Sequence, residues 1–569
     1  MSEPYGGRFG SDLIVDLLVD AGIEHVAFNP GASFRGIHDS LVHRPDAPAI
    51  SLCLHESIAV SMAQGYAKAS GKPMAALLHN VVGLQNASMS IYNAWCDRVP
   101  MLLLGGTGPK ATPNRRPWID WIHTASVQAG IVRDFVKWDD EPHDLGSVEE
   151  SFARALAATT SVPEGPVYLC YDVDLQENPV PDGFERAGIG RYAIPTAPAP
   201  STADVAWLVD KLRGAERPVL LAGYVGERDD AFAALVELAE ALGAAVVDTG
   251  VRHAFPTTHP LAATHVPEIL AAADVVLALD VEDIHSHLRT RYADAGLTIL
   301  NVSTANLKLR AWAHDYQAMV PAQRFITAGA DAVVSAVLDR LRHTPLPAEV
   351  VAERVARTAA TTAAARATWQ AHARSSTADG AVPLERMLAE LGSSLSGVDF
   401  VLGGATNGRH EHKFLSLDRP RQYTGWAAGG GLGYGLGGAL GTALAQEPGT
   451  ITVDVQADGD LLFLPSALWT AAHQSLPVLI LVNNNRQYGN TVEHAAKIGA
   501  RRGHDPASRY VGAGLTDPAV DFSGLARSYG VWSSGPIADP ETLQERLAEA
   551  VKVVSSGKPA LLDVLTPGF

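Results

Sequence analysis

The chain has 569 residues, 47% of them apolar and 19% charged, which at roughly 150 residues per domain predicts three or four globular domains and excludes wholesale disorder. Its 62 acids against 44 Lys and Arg give a formal charge of −18, a balance that argues against nucleic acid or an anionic membrane as partner. Three cysteines, Cys53, Cys96 and Cys170, make no disulfide framework or metal-ligand pattern; the start has no signal-peptide character and no apolar run reaches about 20 residues, so a cytoplasmic protein is expected.

In chain order, Ser11 can cap a helix whose apolar positions Leu13, Ile14, Leu17 and Leu18 recur at helical spacing, and Gly22 ends it. A strand, HVAF, runs into the loop NPGAS; the strand-like SLCL precedes a helix opening at His55-Glu56. PMAALLH leads to NVVGLQN, and MLLLGG is a buried strand. Strands alternating with helices predict a parallel, doubly wound sheet, whose ligands gather at the carboxyl ends of the strands. A Pro-rich stretch from Pro179 to Pro200 reads as a linker. The α/β pattern then resumes with RPVLLAG, GAAVVDTG, ADVVLALD and LTILNVS. From Arg342 to Gly380 the chain is Ala-, Thr- and Arg-rich without strand signals, either a surface helix or a connector. A third block from Pro383 carries FVLGG, TITVDVQAD and LPVLILVNNN. The expected architecture is α/β with three doubly wound parallel-sheet domains, at residues 1–180, 200–342 and 383–569.

Chemistry concentrates where one buried strand ends in Ala457-Asp458-Gly459-Asp460 and the next in Asn483-Asn484-Asn485. Adjacent parallel strands would bring Asp458 and Asn485 to one sheet edge. Their oxygens are hard ligands for Mg²⁺, diphosphate oxygens could complete the shell, and Gly459 permits close approach of a phosphate to the backbone. Either half alone could be an ordinary strand-end turn; the pair, with strand–helix–strand between, favours a metal–diphosphate site.

This pattern resembles the signature of the thiamine diphosphate (ThDP) enzymes, GDG followed about two dozen residues later by NN, with Ala457 where the family has Gly. The resemblance implies that Asp458, Asn485 and the backbone carbonyl of Gln487 hold Mg²⁺, and that Asp460 lies beside the diphosphate. It makes residues 1–180 the pyrimidine-binding domain, with Glu56 the carboxyl that activates the cofactor through its aminopyrimidine ring; alone, a glutamate at a helix start is ordinarily a dipole partner. In the Gly-rich run Gly425 to Gly441, whose loose GxGxxG spacing also fits a nucleotide site, the resemblance assigns the Gly430 carbonyl to the aminopyrimidine. Leu432 becomes the wedge that bends the cofactor. Pro30 and Gly31, in NPGAS, and Thr406 and Asn407, after Ala405, complete the expected cofactor contacts. The family shares active sites between subunits, so a homodimer or a homotetramer is implied. The central domain is expected to hold ADP, FAD or nothing, ADP being the choice that accompanies a CoA substrate; its loops LAGYVG and LDVEDIH are compatible with a nucleotide.

Three features bear on the reaction. His79, at a strand end, coincides with an active-site histidine of benzoylformate-decarboxylase-like members, although a strand-end histidine is as often structural; Ala32 stands where those members have Ser. Glu493, eight residues after Asn485, is expected to be buried above the cofactor with a raised pKa suited to proton transfer, and His494 points away from it. Lys497, Arg501, Arg502 and Arg509 form either a solvated face or a seat for CoA phosphates. The chain is most similar in these segments to actinobacterial 2-hydroxyacyl-CoA lyases, which implies cleavage of a 2-hydroxyacyl-CoA to a ketone or aldehyde plus formyl-CoA, and the reverse condensation. The alternative is a 2-keto acid decarboxylase or carboligase of benzoylformate decarboxylase or acetolactate synthase type. His410 and His412, flanking Glu411, have too few further ligands for zinc.

Overall fold

The computed structural model describes residues 7–226, 228–289, 296–305, 320–406 and 408–568. They form three sheets in which every ladder is parallel. The first comprises β1 (His25–Phe28), β2 (Ala49–Leu52), β3 (Met74–Leu78), β4 (Met101–Thr107), β5 (Asp139–Asp140) and β6 (Pro166–Asp172), in the order β2-β1-β3-β4-β6-β5. The reason for a two-sided sheet is legible in β3: Ala75 and Leu77 enter one apolar cluster, Ala76 and Leu78 another, so a continuous apolar run is buried on both faces. The second sheet comprises β7 (Pro218–Ala222), β8 (Ala245–Asp248), β9 (Val275–Leu279), β10 (Thr298–Val302) and β11 (Arg324–Ile326), ordered β11-β10-β9-β7-β8. The third comprises β12 (Phe400–Gly404), β13 (Ile451–Ala457), β14 (Val478–Asn484), β15 (Trp532–Ile537) and β16 (Ala560–Leu565), ordered β12-β13-β14-β16-β15. The expected α/β class with three parallel sheets is therefore what the chain adopts.

Residues 342–380, which composition left open, contain a 28-residue helix, Ala348–Ser375, lying on the central sheet's layer with few buried side chains. One of these, Arg354, donates to the Leu242 carbonyl at 2.8 Å. The Pro-rich stretch is irregular and mostly exposed apart from one short turn at Ile189–Arg191. Among the described residues no helix is long and apolar enough to cross a membrane.

First and third sheets share one apolar cluster, because the Glu56–Ser70 helix packs directly on the Tyr434–Leu444 helix. Glycines set that distance. A Cβ on Gly65 would stand 1.9 Å from the Gly438 carbonyl oxygen, and one on Gly441 would stand 1.8 Å from that of Met62. The joint is also electrostatic. Lys68 donates to Asp97 at 2.7 Å and to the Trp426 carbonyl at 2.6 Å, and Asp97 also accepts from Gln64 and Arg252, each at 2.8 Å. Asp97 thus ties all three sheets to one buried carboxylate.

Candidate functional site

In the first sheet the chain passes from β1 to β2 on one side and to β3 on the other, so the loops after β1 and β3 open a crevice where parallel sheets bind ligands. NPGAS leaves β1 there and His79 leaves β3. They are in contact: the Ser33 backbone N–H donates to His79 Nδ1 at 3.3 Å, and the Ser33 hydroxyl lies 3.0 Å from the same nitrogen. Gly31 is required by this approach, since a Cβ would sit 2.4 Å from that of His79; Pro30 and Ala32 flank it on the exposed side. Glu56 opens its helix behind the N-cap His55, which accepts from the Ser57 N–H. Its carboxyl is 7% exposed and accepts from Asn86 at 3.1 Å. Gly83 separates Glu56 from His79: a Cβ there would be 3.1 Å from Glu56 Oε1 and 3.4 Å from the His79 Cβ. Burial, with His123 and Arg116 nearby, holds the His79 imidazole below its ordinary pKa against the opposing pull of Glu56.

The second group of residues stands at the edge of the third sheet. Ala457 pairs with Asn483, so Asp458 and Asn485 leave neighbouring strand ends as the spacing predicts. Asp458 is 2% exposed; its Oδ1 accepts from the Gly459 N–H at 2.7 Å, and its Oδ2 is buried without a hydrogen-bond partner. Burial pushes its carboxyl up to about 6, against the lowering effect of N–H groups of Gly459, Arg486 and Gln487. Asn485 Oδ1 accepts from the Gln487 N–H at 3.2 Å, holding that loop under Asp458. Gly459 packs on Tyr488, 2.6 Å from where a Cβ would be. A buried carboxylate oxygen with no hydrogen-bond partner among the described residues, at the strand end next to the one that leads to Asn485, fits a hard divalent cation. Among the described residues no group of three His, Cys, Asp or Glu could hold a metal.

The Gly-rich loop spans these two groups. Gly433 N–H donates to Asp460 Oδ1 at 2.6 Å, and Gly429 N–H donates to Asn93 Oδ1 at 2.7 Å, on the helix that also carries Asn86. Gly430 has φ +66° and faces solvent, and Leu432 is 45% exposed. Asp460, expected beside a diphosphate, holds this loop, its second oxygen accepting from Gln456. Thr406 is likewise committed within the protein: its N–H and hydroxyl both donate to Glu411, at 2.8 and 2.7 Å. Glu411 is fully buried, and burial raises its pKa. Asn407 lies outside the described residues.

Glu493 requires a correction. It sits on the solvent side of the Gly489–Arg502 helix, in which Val492 is the buried residue, and it accepts from Lys497 at 2.6 Å. That hydrogen bond and charge hold its carboxyl below the ordinary range, opposite to the expected rise. The cause is local: Lys497 follows one turn later, and i,i+4 pairing on an exposed face outcompetes burial. Lys497 is therefore engaged by Glu493; Arg501 and Arg502 are exposed, and Arg509 is half-buried.

Sequence reasoning missed Ser33, His123 and Asp97. His123 ends a short helix, Asp120–His123, and its ring meets that of His79 edge-to-face at 5.5 Å. The segment is exposed and apolar, with Trp118 and Trp121 about three-quarters exposed, and nothing in its pattern marks it as part of the site. In the central sheet, Tyr224 follows β7 and its N–H donates to the carbonyl of Asp280, which follows β9. The guanidinium groups of Arg98 and Arg252 both lie over the Tyr224 ring, at 4.3 and 5.1 Å from its centre, and Arg98 also pairs with Asp280 at 3.0 Å. These contacts lend no support to ADP there.

Three models of one enzyme family match the chain in order: the N-terminal TPP binding domain of thiamine pyrophosphate enzymes at residues 8–126, their central domain at 205–328, and their C-terminal TPP binding domain at 406–564. A benzoylformate decarboxylase of Pseudomonas aeruginosa is 26% identical over 563 residues, covering 97% of each chain. Acetolactate synthase 3 of Brassica napus is 24% identical over 591 residues, 98% of this chain and 84% of that one. Among solved structures, the thiamine diphosphate-dependent 4-hydroxybenzoylformate decarboxylase of Rhodococcus jostii superposes with a TM-score of 0.77 at 22% identity, covering 99% of both chains.

Proposed function

The chain belongs to the thiamine pyrophosphate enzyme family, and from that premise we propose that it decarboxylates a 2-keto acid, or joins the resulting acyl unit to a second carbonyl compound. The observation that carries this reading is the placement of His79 beside Glu56 at the crevice of the first sheet. The full-length likeness to a benzoylformate decarboxylase supports it. The 2-hydroxyacyl-CoA lyase reading leaned on Glu493 as a buried base and on Lys497, Arg501 and Arg502 as a phosphate seat; the exposed Glu493–Lys497 pair supports neither role.

Asp458, Asn485 and the Gln487 carbonyl would hold Mg²⁺, with Gly459 clearing space for the diphosphate. When bound, thiamine diphosphate supplies a nucleophilic carbon and an electron sink for the pair released as a C–C bond breaks. The protein's share of the work is to hold and shield. Glu56 presents a buried carboxyl, aimed by Asn86. Asp460 fixes the Gly-rich loop, so that Leu432 projects from a defined backbone. His79, locked on Ser33, presents a polar edge to a substrate oxygen. Ala32 lacks a hydroxyl, but Ser33 next to it supplies one, directed at His79.

A homodimer is part of the same reading. Leu54, Val82, Met89 and Leu432 are exposed apolar residues around Glu56 and the Gly-rich loop, and a second copy would cover them. With the vitamin diphosphate and Mg²⁺ supplied, CO₂ release from benzoylformate and pyruvate should be measured beside formyl-CoA release from a 2-hydroxyacyl-CoA. CO₂ from a 2-keto acid is the expected result; formyl-CoA alone would overturn the proposal.

A further inference from the structure

Between Trp426 and Gly433 the Gly-rich loop is neither helix nor strand. Within itself it makes one turn, the Gly430 N–H donating to the Ala427 carbonyl at 3.0 Å. A backbone so rich in glycine takes many courses unless something outside holds it. Two holds come from its ends: Lys68 donates to the Trp426 carbonyl at 2.6 Å, and the Gly433 N–H donates to Asp460 at 2.6 Å.

The middle of the loop is held from the first domain. The Asn80–Cys96 helix presents Asn86, Met89 and Asn93 at i, i+3 and i+7, a spacing that puts them on one face. Asn86 donates to the Glu56 carboxyl at 3.1 Å. Met89 lies on Gly431, where a Cβ would be 2.5 Å from its methyl carbon. Asn93 accepts from the Gly429 N–H at 2.7 Å, and a Cβ on Gly429 would be 2.9 Å from that oxygen and 3.0 Å from the Asn93 Cα. Met89 is a flexible contact that can yield; the Asn93 bond is directional. Asn93 is 1% exposed, and its Nδ2 is buried with no hydrogen-bond partner among the described residues. An N–H can only donate, so the contact itself fixes which end of the amide faces the loop. Burying an amide with its NH₂ unused is unfavourable, and the one bond this amide makes is to the loop.

We propose that Asn93 is a positioning residue. Through Gly429 it sets the backbone that presents Gly430 and Leu432, and so governs how the ring end of thiamine diphosphate is held. It takes no part in holding the diphosphate, which falls to the Asp458–Asn485 edge. The proposal rests on the reading of the loop as the seat of the aminopyrimidine.

Two probes separate the ends of the site, thiamine diphosphate and inorganic diphosphate, each titrated calorimetrically into the full chain with Mg²⁺ present. Asn93→Ala should weaken thiamine diphosphate about 10-fold, the worth of one buried hydrogen bond lost with its donor left unpaired. Inorganic diphosphate should stay within about twofold of the wild type, as expected of an independent locus. Asn93→Asp keeps the accepting oxygen and gives up only the unpartnered NH₂, so it should recover most of the lost affinity. Gly429→Ala strains the same contact from the loop's side and should reproduce the selective loss; it serves in place of Asn93→Ala if that variant does not fold. Unaltered affinity for thiamine diphosphate, or an equal loss for both probes, would overturn the proposal and leave the cofactor reading standing. A wild type that binds neither probe would overturn both.

Discussion

At the scale of single residues, environment decides which titratable groups can do chemistry. Glu56 and Glu493 have the same side chain, and both lie in the N-terminal half of a helix. One is enclosed against Gly83 and Asn86, the other faces water on Lys497. Glu493→Gln should therefore leave both kcat and the thermal midpoint unchanged, whereas Glu56→Gln should abolish turnover with the circular dichroism spectrum intact; steady-state kinetics on the two purified variants checks both. The contrast also shows what the chain's letters could carry. The place of Glu56 at a helix start was legible from pattern, its role being what a resemblance implies, and Asp458 and Asn485 were legible because strand-end spacing alone brings them to adjacent strand ends. The exposure of Glu493 was misjudged from its distance to Asn485, although Lys497 four residues on already offered the pairing that lowers its carboxyl. His123 was invisible for another reason: it reaches His79 through a loop of irregular backbone that no periodicity describes.

At the scale of elements, close backbone approach sets the geometry of the site. The Glu56–Ser70 and Tyr434–Leu444 helices touch through glycines, and the second helix begins where the Gly-rich loop ends. Gly65→Ala would place a methyl group inside the Gly438 carbonyl contact, and backbone has no rotamer by which to yield. Unfolding in urea should show a loss of about 1–3 kcal/mol, accompanied by weaker cofactor binding as the loop is displaced; unaltered stability would mean that the helices can separate freely. The three parallel sheets were legible from apolar runs bounded by glycines. The Ala348–Ser375 helix was not, because its exposed Ala-rich surface lacks the apolar stripe by which helices are recognised.

At the scale of the whole molecule, Asp97 holds together parts far apart in the chain. It pairs with Lys68 of the first sheet's layer and Arg252 of the second, and Lys68 reaches Trp426 at the head of the Gly-rich loop. Asp97→Ala would strand two buried cations, and breaking such a pair costs about 3–5 kcal/mol; a fall of that size in unfolding free energy, from denaturant titration, is expected. No composition or spacing argument could anticipate that network, because its members lie on different domains and become neighbours only when the sheets dock. The account as a whole depends on the Asp458–Asn485 edge holding a cation and a diphosphate. Calorimetric titration of thiamine diphosphate into the purified protein with Mg²⁺ present, repeated with chelator and with Asp458→Ala, tests this most directly. Saturable binding by the wild type that disappears in both controls is predicted; equal binding in all three, or none in the wild type, would contradict it.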